Sequence, residues 1–312
     1  MRICSLLPSA TEILYALGLG DSVVGITHEC NFPPEVRSKR VVVRSRLPHT
    51  DDPAEIDRLV REFTDRGESI YRVDGEALRD LDPDLIITQD LCHVCAASPD
   101  DLGAVLATLR GTPRVISLNP HLLKNVWNDV LTIGGATGRD AKAQALVRKL
   151  KTQVEDVSRA VASSTSISAR PRVACLEWLD PPFNAGHWVP EMVALAGGID
   201  VLGRVGIPSV SLEWDHILST QPDLIFIMPC GYDAARAAAE FAATMFPEGW
   251  ANLPAVKLGR VFTSDANAYF SRPGPRLASG VAILAAAFHP GIPVTIPSNS
   301  LGRLPFVHAH RA

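Results

Sequence analysis

One motif occurs twice in this chain, and it limits the folds available more than any other feature. Glu76-Ala-Leu-Arg-Asp-Leu-Asp-Pro83-Asp-Leu-Ile-Ile-Thr88 is answered by Asp215-His-Ile-Leu-Ser-Thr-Gln-Pro222-Asp-Leu-Ile-Phe-Ile227. In each copy an acid stands seven residues before a proline, and Pro-Asp-Leu-Ile opens an apolar strand. The copies lie roughly 140 residues apart, far beyond the period of a stacked solenoid, so a whole α/β lobe is duplicated. Two similar lobes imply an interlobe cleft, where small ligands usually bind.

The remaining strand and helix signals fit this reading. Ile3–Leu7, Val23–Ile26, Leu85–Thr88 and Val115–Leu118 read as strands of the first lobe, with helical patterns between them. Pro8-Ser9-Ala10-Thr11-Glu12 reads as a helix start with Ser9 as N-cap and Glu12 closing a capping box; Gly18 and Gly20 end that helix. Arg172-Val-Ala-Cys-Leu176 echoes Arg2-Ile-Cys-Ser-Leu6 and restarts the pattern. Val261–Thr263 is the last strand, and Leu277–Phe288 a final helix that stops before Pro290. Strands alternating with helices predict an α/β fold with parallel-type sheets.

The segment between the lobes is helical. Leu122–Ile133 forms one piece, interrupted by Gly134, Gly135 and Gly138. Val147, Leu150, Val154, Val157 and Val161 then make one amphipathic stripe. A helix from Asp140 to Ala162 spans roughly 34 Å at 1.5 Å per residue, enough to tie two lobes together stiffly. The expected organisation is an N-terminal lobe over 1–121, a linker helix over 122–165 and a C-terminal lobe over 166–312.

Composition removes several function classes. A net charge of −4 argues against a nucleic-acid or anionic-membrane surface. No run approaches the roughly 18 apolar residues a membrane span needs, so no membrane insertion is expected. Met1-Arg2 leads directly into a strand-like run in place of a signal h-region, so a cytoplasmic location is expected for the chain as written. A leader preceding Met1 would make the protein periplasmic or extracellular. Six cysteines in 312 residues do not make a disulfide framework.

Ligands of parallel α/β lobes meet the loops at the carboxyl ends of the strands. In the first lobe those loops carry Ser9, Thr11, His28, Glu29, Cys30, Gln89 and Cys92. In the second they carry Trp178, Phe183, His187, Trp188, Tyr232, Tyr269 and Phe270. Aromatic side chains on loops suit a broad, flat, amphipathic guest that stacks against them. His28 is a candidate axial ligand for a chelated metal. His28, Cys30, Cys92 and Cys95 are a candidate zinc set, although a single Cys-x-x-Cys pair is a weak signal.

Taken together, the motifs resemble the class III substrate-binding proteins of ABC importers, which take up iron siderophores, haem, metals and vitamin B12. The resemblance is nearest to the cobalamin-binding branch. It rests on Leu7-Pro8-Ser9-Ala10-Thr11-Glu12, on Pro181-Pro182-Phe183-Asn184-Ala185-Gly186 with the stretch to Pro208 that precedes Asp215, and on Ser271-Arg-Pro-Gly-Pro-Arg276. It implies non-catalytic binding of a corrinoid such as cobalamin in the cleft, with an ABC permease as partner. It also implies that Glu76 and Asp215, one acid per lobe, dock against permease arginines. An intracellular cobalamin-handling protein is the variant that fits a chain without an export signal.

Two other function classes remain open at this stage. One is a protein for a transition metal, an iron siderophore or haem, with zinc held by the His28–Cys30–Cys92–Cys95 set. The other is a thiol enzyme with Cys92 as nucleophile and His28 or His93 as base. The chain has no P-loop, no G-x-S-x-G elbow and no complete H-E-x-x-H helix to support further catalysis.

Overall fold

The computed structural model describes residues 1–48, 50, 52–89, 99–164 and 170–305. The chain forms two compact units, residues 1–120 with 124–148 and residues 121–123 with 149–312. Each is an α/β unit, as the alternating strand and helix signals require.

The sheet of unit 1 contains β1 (Ile3–Ser5), β2 (Val23–Thr27), β3 (Arg40–Ser45), β4 (Tyr71–Val73), β5 (Leu85–Gln89) and β6 (Arg114–Leu118). Their order is β4-β3-β2-β1-β5-β6, parallel throughout except for antiparallel β4 at the edge. Cys4, Leu6, Val42, Val43, Leu78 and Ile86 belong to one buried core cluster of that unit. Strands β3 and β4 lie outside the sequence reading. Their flanking Arg and Ser residues hide the apolar centre Val41–Val43 from a simple pattern.

Unit 2 repeats the plan with a shorter sheet. Its strands are β7 (Arg172–Leu179), β8 (Pro182–Asn184), β9 (Ile199–Asp200), β10 (Leu224–Ile227), β11 (Val261–Thr263) and β12 (Gly302–Arg303). The order is β12-β11-β10-β7-β8, with β9 beside the start of β7. β7, β9, β10 and β11 pair in parallel, whereas β8 and β12 run antiparallel to their neighbours.

The duplicated motif has the same physical job in both units. The Asp after the proline accepts a hydrogen bond from the backbone N–H of an arginine opening the central strand. Arg2 N donates to Asp84 at 2.6 Å and Arg172 N to Asp223 at 2.8 Å. The aspartate N–H groups return the bond to the same arginines' carbonyls, at 2.8 Å each. The arginine side chains then reach the end of the preceding helix, at Leu81 O (2.6 Å) and Thr220 O (2.9 Å). Even the backbone turn is shared: Asp82 and Gln221, each just before the proline, are left-handed with φ of 40° and 46°. One charge-assisted bond of this kind contributes about 1.5 to 3 kcal/mol. The clamp therefore fixes where each helix hands over to its strand.

Two local expectations need correction. The first helix runs Pro8–Ala16 with Leu7, not Ser9, at the N-cap, and Ser9 is buried. Pro8 takes the first helical position, where its missing N–H costs nothing. Gly134 and Gly135 do not break the next helix either, because it continues from Leu123 to Ala136. A methyl group on Gly134 would collide with the Ala143 side chain, so the glycine serves close helix packing.

The helix Asp140–Ser164 exists as expected, and its stripe of Val147, Leu150, Val154, Val157 and Val161 is buried. From Lys149 onward it belongs to unit 2. There Ser158 Oγ donates to Leu195 O (3.0 Å) and Gln153 Nε2 to Ser279 Oγ (3.3 Å).

Candidate functional site

In unit 2, β7 ends at a hairpin into β8, and the chain then returns in a strip over residues 204–212 that turns at Val205–Gly206 before running back alongside β8. Phe183 bridges Ser211, Leu212 N donates to Pro182 O (2.8 Å), and Val210 N donates to Asn184 Oδ1 (2.8 Å). Further on, His187 N donates to Ile207 O (2.7 Å) and Gly206 N to His187 O (2.8 Å). The strip presses so close that a methyl group on Gly186 would lie 2.7 Å from Pro208 C and 2.9 Å from Ile207 O. Only glycine allows that approach. Along the outer face of the strip Val205, Ile207 and Val210 are exposed, which leaves an apolar ridge in water.

Two partly buried acids stand at this loop, Glu177 bonded within it and Asp200 just before it. Burial pushes the Glu177 carboxyl up to about 7, against the lowering effect of hydrogen bonds from Ser209 and Gly186. Asp200 rises to about 6 through burial, although the Gly203 and Leu202 N–H groups bond it at 2.7 and 2.9 Å. The folded protein therefore favours protonated Glu177. Its contribution to stability is full below its ordinary value of 4.5 and is lost as pH rises through about 7. Replacing Glu177 with glutamine is expected to flatten this slope and to stabilise the protein at pH 8 by about 2 kcal/mol. Urea unfolding at pH 5 and pH 8 measures it; equal pH slopes for variant and wild type would contradict the assignment.

Unit 1 offers a polar cluster at the ends of β1 and β2. Thr11 Oγ1 donates to Ser5 Oγ at 2.8 Å and lies 3.1 Å from Cys30 Sγ, all three buried. His28 is partly exposed, with Nδ1 3.2 Å from Val43 O and Nε2 3.3 Å from Glu29 Oε1. Nδ1 also lies 3.3 Å from Thr27 Oγ1, so both ring nitrogens of His28 have polar neighbours. Gln89 ends β5 and is buried.

The comparisons with known proteins cover nearly all of this framework. The family model described as periplasmic binding protein matches residues 3–268. The chain belongs to the periplasmic binding protein family. It is 27% identical over 300 residues to an uncharacterized ABC transporter substrate-binding lipoprotein of Bacillus subtilis, spanning 93% of this chain and 80% of the relative. It is 24% identical over 286 residues to the vitamin B12-binding protein of Vibrio cholerae, spanning 90% and 86%. Its fold matches a periplasmic haem-binding protein from Pseudomonas aeruginosa with a TM-score of 0.74 at 19% identity, over 98% and 99% of the two chains. The family resemblance read from the motifs therefore holds, and so does the α/β fold.

Within this periplasmic binding protein the aromatic residues separate into two groups. Trp178, Phe183 and Tyr269 keep part of their surface accessible. Trp188 and Phe270 do not. Trp188 Nε1 donates to Phe270 O at 2.7 Å, and the Phe270 ring packs on Phe226 at 5.4 Å. These two belong to the unit 2 core, which corrects their assignment as stacking walls. Tyr232 is also enclosed, with Trp178 edge-on at 5.4 Å and the Arg236 guanidinium 3.9 Å over its ring. Short loop sequences carry no sign of which aromatic turns inward, so exposure was not readable there.

The candidate metal set divides as well. Cys92 and Cys95 lie outside the described residues, as does His93. Cys30 faces the buried Ser5–Thr11 pair. Among the described residues no cluster of three or more His, Cys, Asp or Glu is placed to hold a metal. No helix among them is long and apolar enough to cross a membrane.

Glu76 and Asp215 sit where the repeat places them, each exposed in the first turn of its helix, Gly75–Leu81 and Trp214–Ser219. The helix macrodipole favours an anion there. Neither carboxylate is ion-paired with a described residue, so both remain available to a cationic partner.

Proposed function

We propose that this protein is a substrate-binding component of an ABC importer whose guest is a corrinoid of the cobalamin type. The observation that carries the reading is the likeness to a vitamin B12-binding protein along 90% of the chain. The exposed side chains at the strand ends support it. Trp178, Phe183 and Tyr269 of unit 2 offer aromatic surface, and the ridge of Val205, Ile207 and Val210 offers apolar edge. In unit 1 the proposed polar contacts are the partly exposed His28 and Glu29 and the buried Ser9 and Gln89; in unit 2 the proposed polar contact is His187. Cys92 belongs to the same proposed set from the sequence alone. No covalent chemistry is required of any of them.

Delivery to an importer implies action on the outer side of the cytoplasmic membrane, in keeping with the Bacillus relative being named a lipoprotein. Glu76 and Asp215 would then be the paired contacts for permease cations. The connecting role proposed for residues 122–165 falls on the helices Leu123–Ala136 and Asp140–Ser164.

A second reading, haem or another metal chelate, draws on one observation: the His28 imidazole is partly exposed at the end of β2, with Nδ1 3.2 Å from Val43 O and Nε2 3.3 Å from Glu29 Oε1. Mixing the protein with cyanocobalamin and desalting separates the readings. The corrinoid reading requires the red chromophore to co-elute with the protein at near one equivalent; a colourless protein peak would overturn it.

A further inference from the structure

Unit 2 holds a pair of histidines, His121 and His187, of which only His187 is also a proposed contact to the corrinoid. His121 and His187 face each other with ring centroids 5.6 Å apart and planes inclined by 45°. A metal ion about 2.1 Å from one nitrogen of each ring stands roughly 3 Å from each centroid, so rings 5 to 6 Å apart fit a shared ion. His187 Nε2 is buried and has no hydrogen-bond partner among the described residues, an uncommon state for a buried polar atom.

Both rings are held in place from several sides. His187 has left-handed backbone, φ 53°, and is pinned through its N–H to Ile207 O and through its carbonyl to Gly206 N. Its ring stacks on Trp188 at 5.5 Å, and Trp188 is itself anchored to Phe270. On the other side Leu123 N donates to Glu191 Oε2 at 2.9 Å, which ties the segment carrying His121 to the helix Val189–Leu195 that follows His187. A residue kept in a sparsely populated backbone region by its surroundings marks a place where position is specified.

We propose that His121 and His187 form a two-histidine site for a divalent late transition metal ion such as zinc, with water completing the coordination. Imidazole nitrogens suit zinc, nickel and copper(II) over the harder magnesium and calcium. Both residues keep part of their surface accessible, although His187 Nε2 itself is buried. The pair includes none of His28, Cys30, Cys92 and Cys95, and its test needs no corrinoid.

The test is calorimetric titration of the full chain with zinc chloride in a Cys92→Ser/Cys95→Ser background, which removes the competing thiol pair. One binding event is expected there, weakened tenfold or more by His121→Gln and by His187→Asn, asparagine being chosen because it tolerates left-handed backbone. Circular dichroism confirms that each variant is folded, and His121→Gln carries the test if His187→Asn is not. Copper(II) electron paramagnetic resonance in the same background should show two coupled nitrogens. No zinc event in that background, or an event that survives His121→Gln unchanged, would overturn the site.

Discussion

Gly186→Ala is expected to cost unit 2 about 3 kcal/mol, because the new methyl group must enter space held by backbone and not by a movable side chain. Its neighbours would be the Ile207 carbonyl, the Pro208 carbonyl carbon and the Ser209 amide. To make room, the strip over residues 204–212 must withdraw from the hairpin, stretching the His187–Ile207 and Gly206–His187 bonds. Glu177 would suffer too, since Ser209 and Gly186 supply its hydrogen bonds. For a unit of this size the cost corresponds to a Tm lower by roughly 6 to 12 °C. Scanning calorimetry reads it directly, and a shift below about 2 °C would mean that the strip moves freely and does not shape the loop. Gly231, where a methyl group meets nothing within 4 Å, is a poor control because its φ of 86° brings strain of its own.

Reversing both proposed docking acids, Glu76→Lys with Asp215→Lys, should weaken stimulation of a cognate permease at least about 100-fold while leaving guest affinity unchanged. Each substitution removes one anion and places a cation opposite the proposed permease cations, and like charges brought together at an interface cost several kcal/mol. Both side chains are exposed and unpaired among the described residues, so stability should change little. ATPase activity of the reconstituted permease, titrated with the binding protein, measures the effect; each single reversal should fall between wild type and double variant. Full stimulation by the double variant would show that the two acids only cap their helices.

Much of the framework was readable before any coordinates. The Pro-Asp-Leu-Ile repeat marked β5 and β10, and the final helix Leu277–Phe288 appears with the expected ends. These elements are apolar, periodic and bounded by proline or glycine, so local pattern and burial agree. The reciprocal clamps from Asp84 to Arg2 and from Asp223 to Arg172 were only half visible. The echo of the two arginines was noticed, but nothing local says that an aspartate more than 50 residues away will hold a strand's first N–H. Polar edge elements were harder still, since β4 and the 204–212 strip are defined by long-range pairing and carry little hydrophobic rhythm.

The candidate site was legible in outline only. Strand-end logic named the loops that follow β1, β2, β5, β7 and β10, and duplication singled out Glu76 and Asp215. It did not separate the accessible Trp178 from the buried Trp188, ten residues later, because burial depends on what folds over the loop. The His121–His187 pair was missed for a related reason. Sixty-six residues separate the two, and neither belongs to a recognisable metal-ligand spacing. A visible clue did exist, since His187 follows directly on Asn184-Ala185-Gly186, a turn-forming run.

Isothermal titration of the full chain with cyanocobalamin, repeated after saturation with haemin, tests the central claim most directly. The account predicts one site with a Kd of about 1 μM or tighter, near −8 kcal/mol, and no loss of that heat when haemin is present. Absence of heat with cyanocobalamin, or full suppression by haemin, would contradict it.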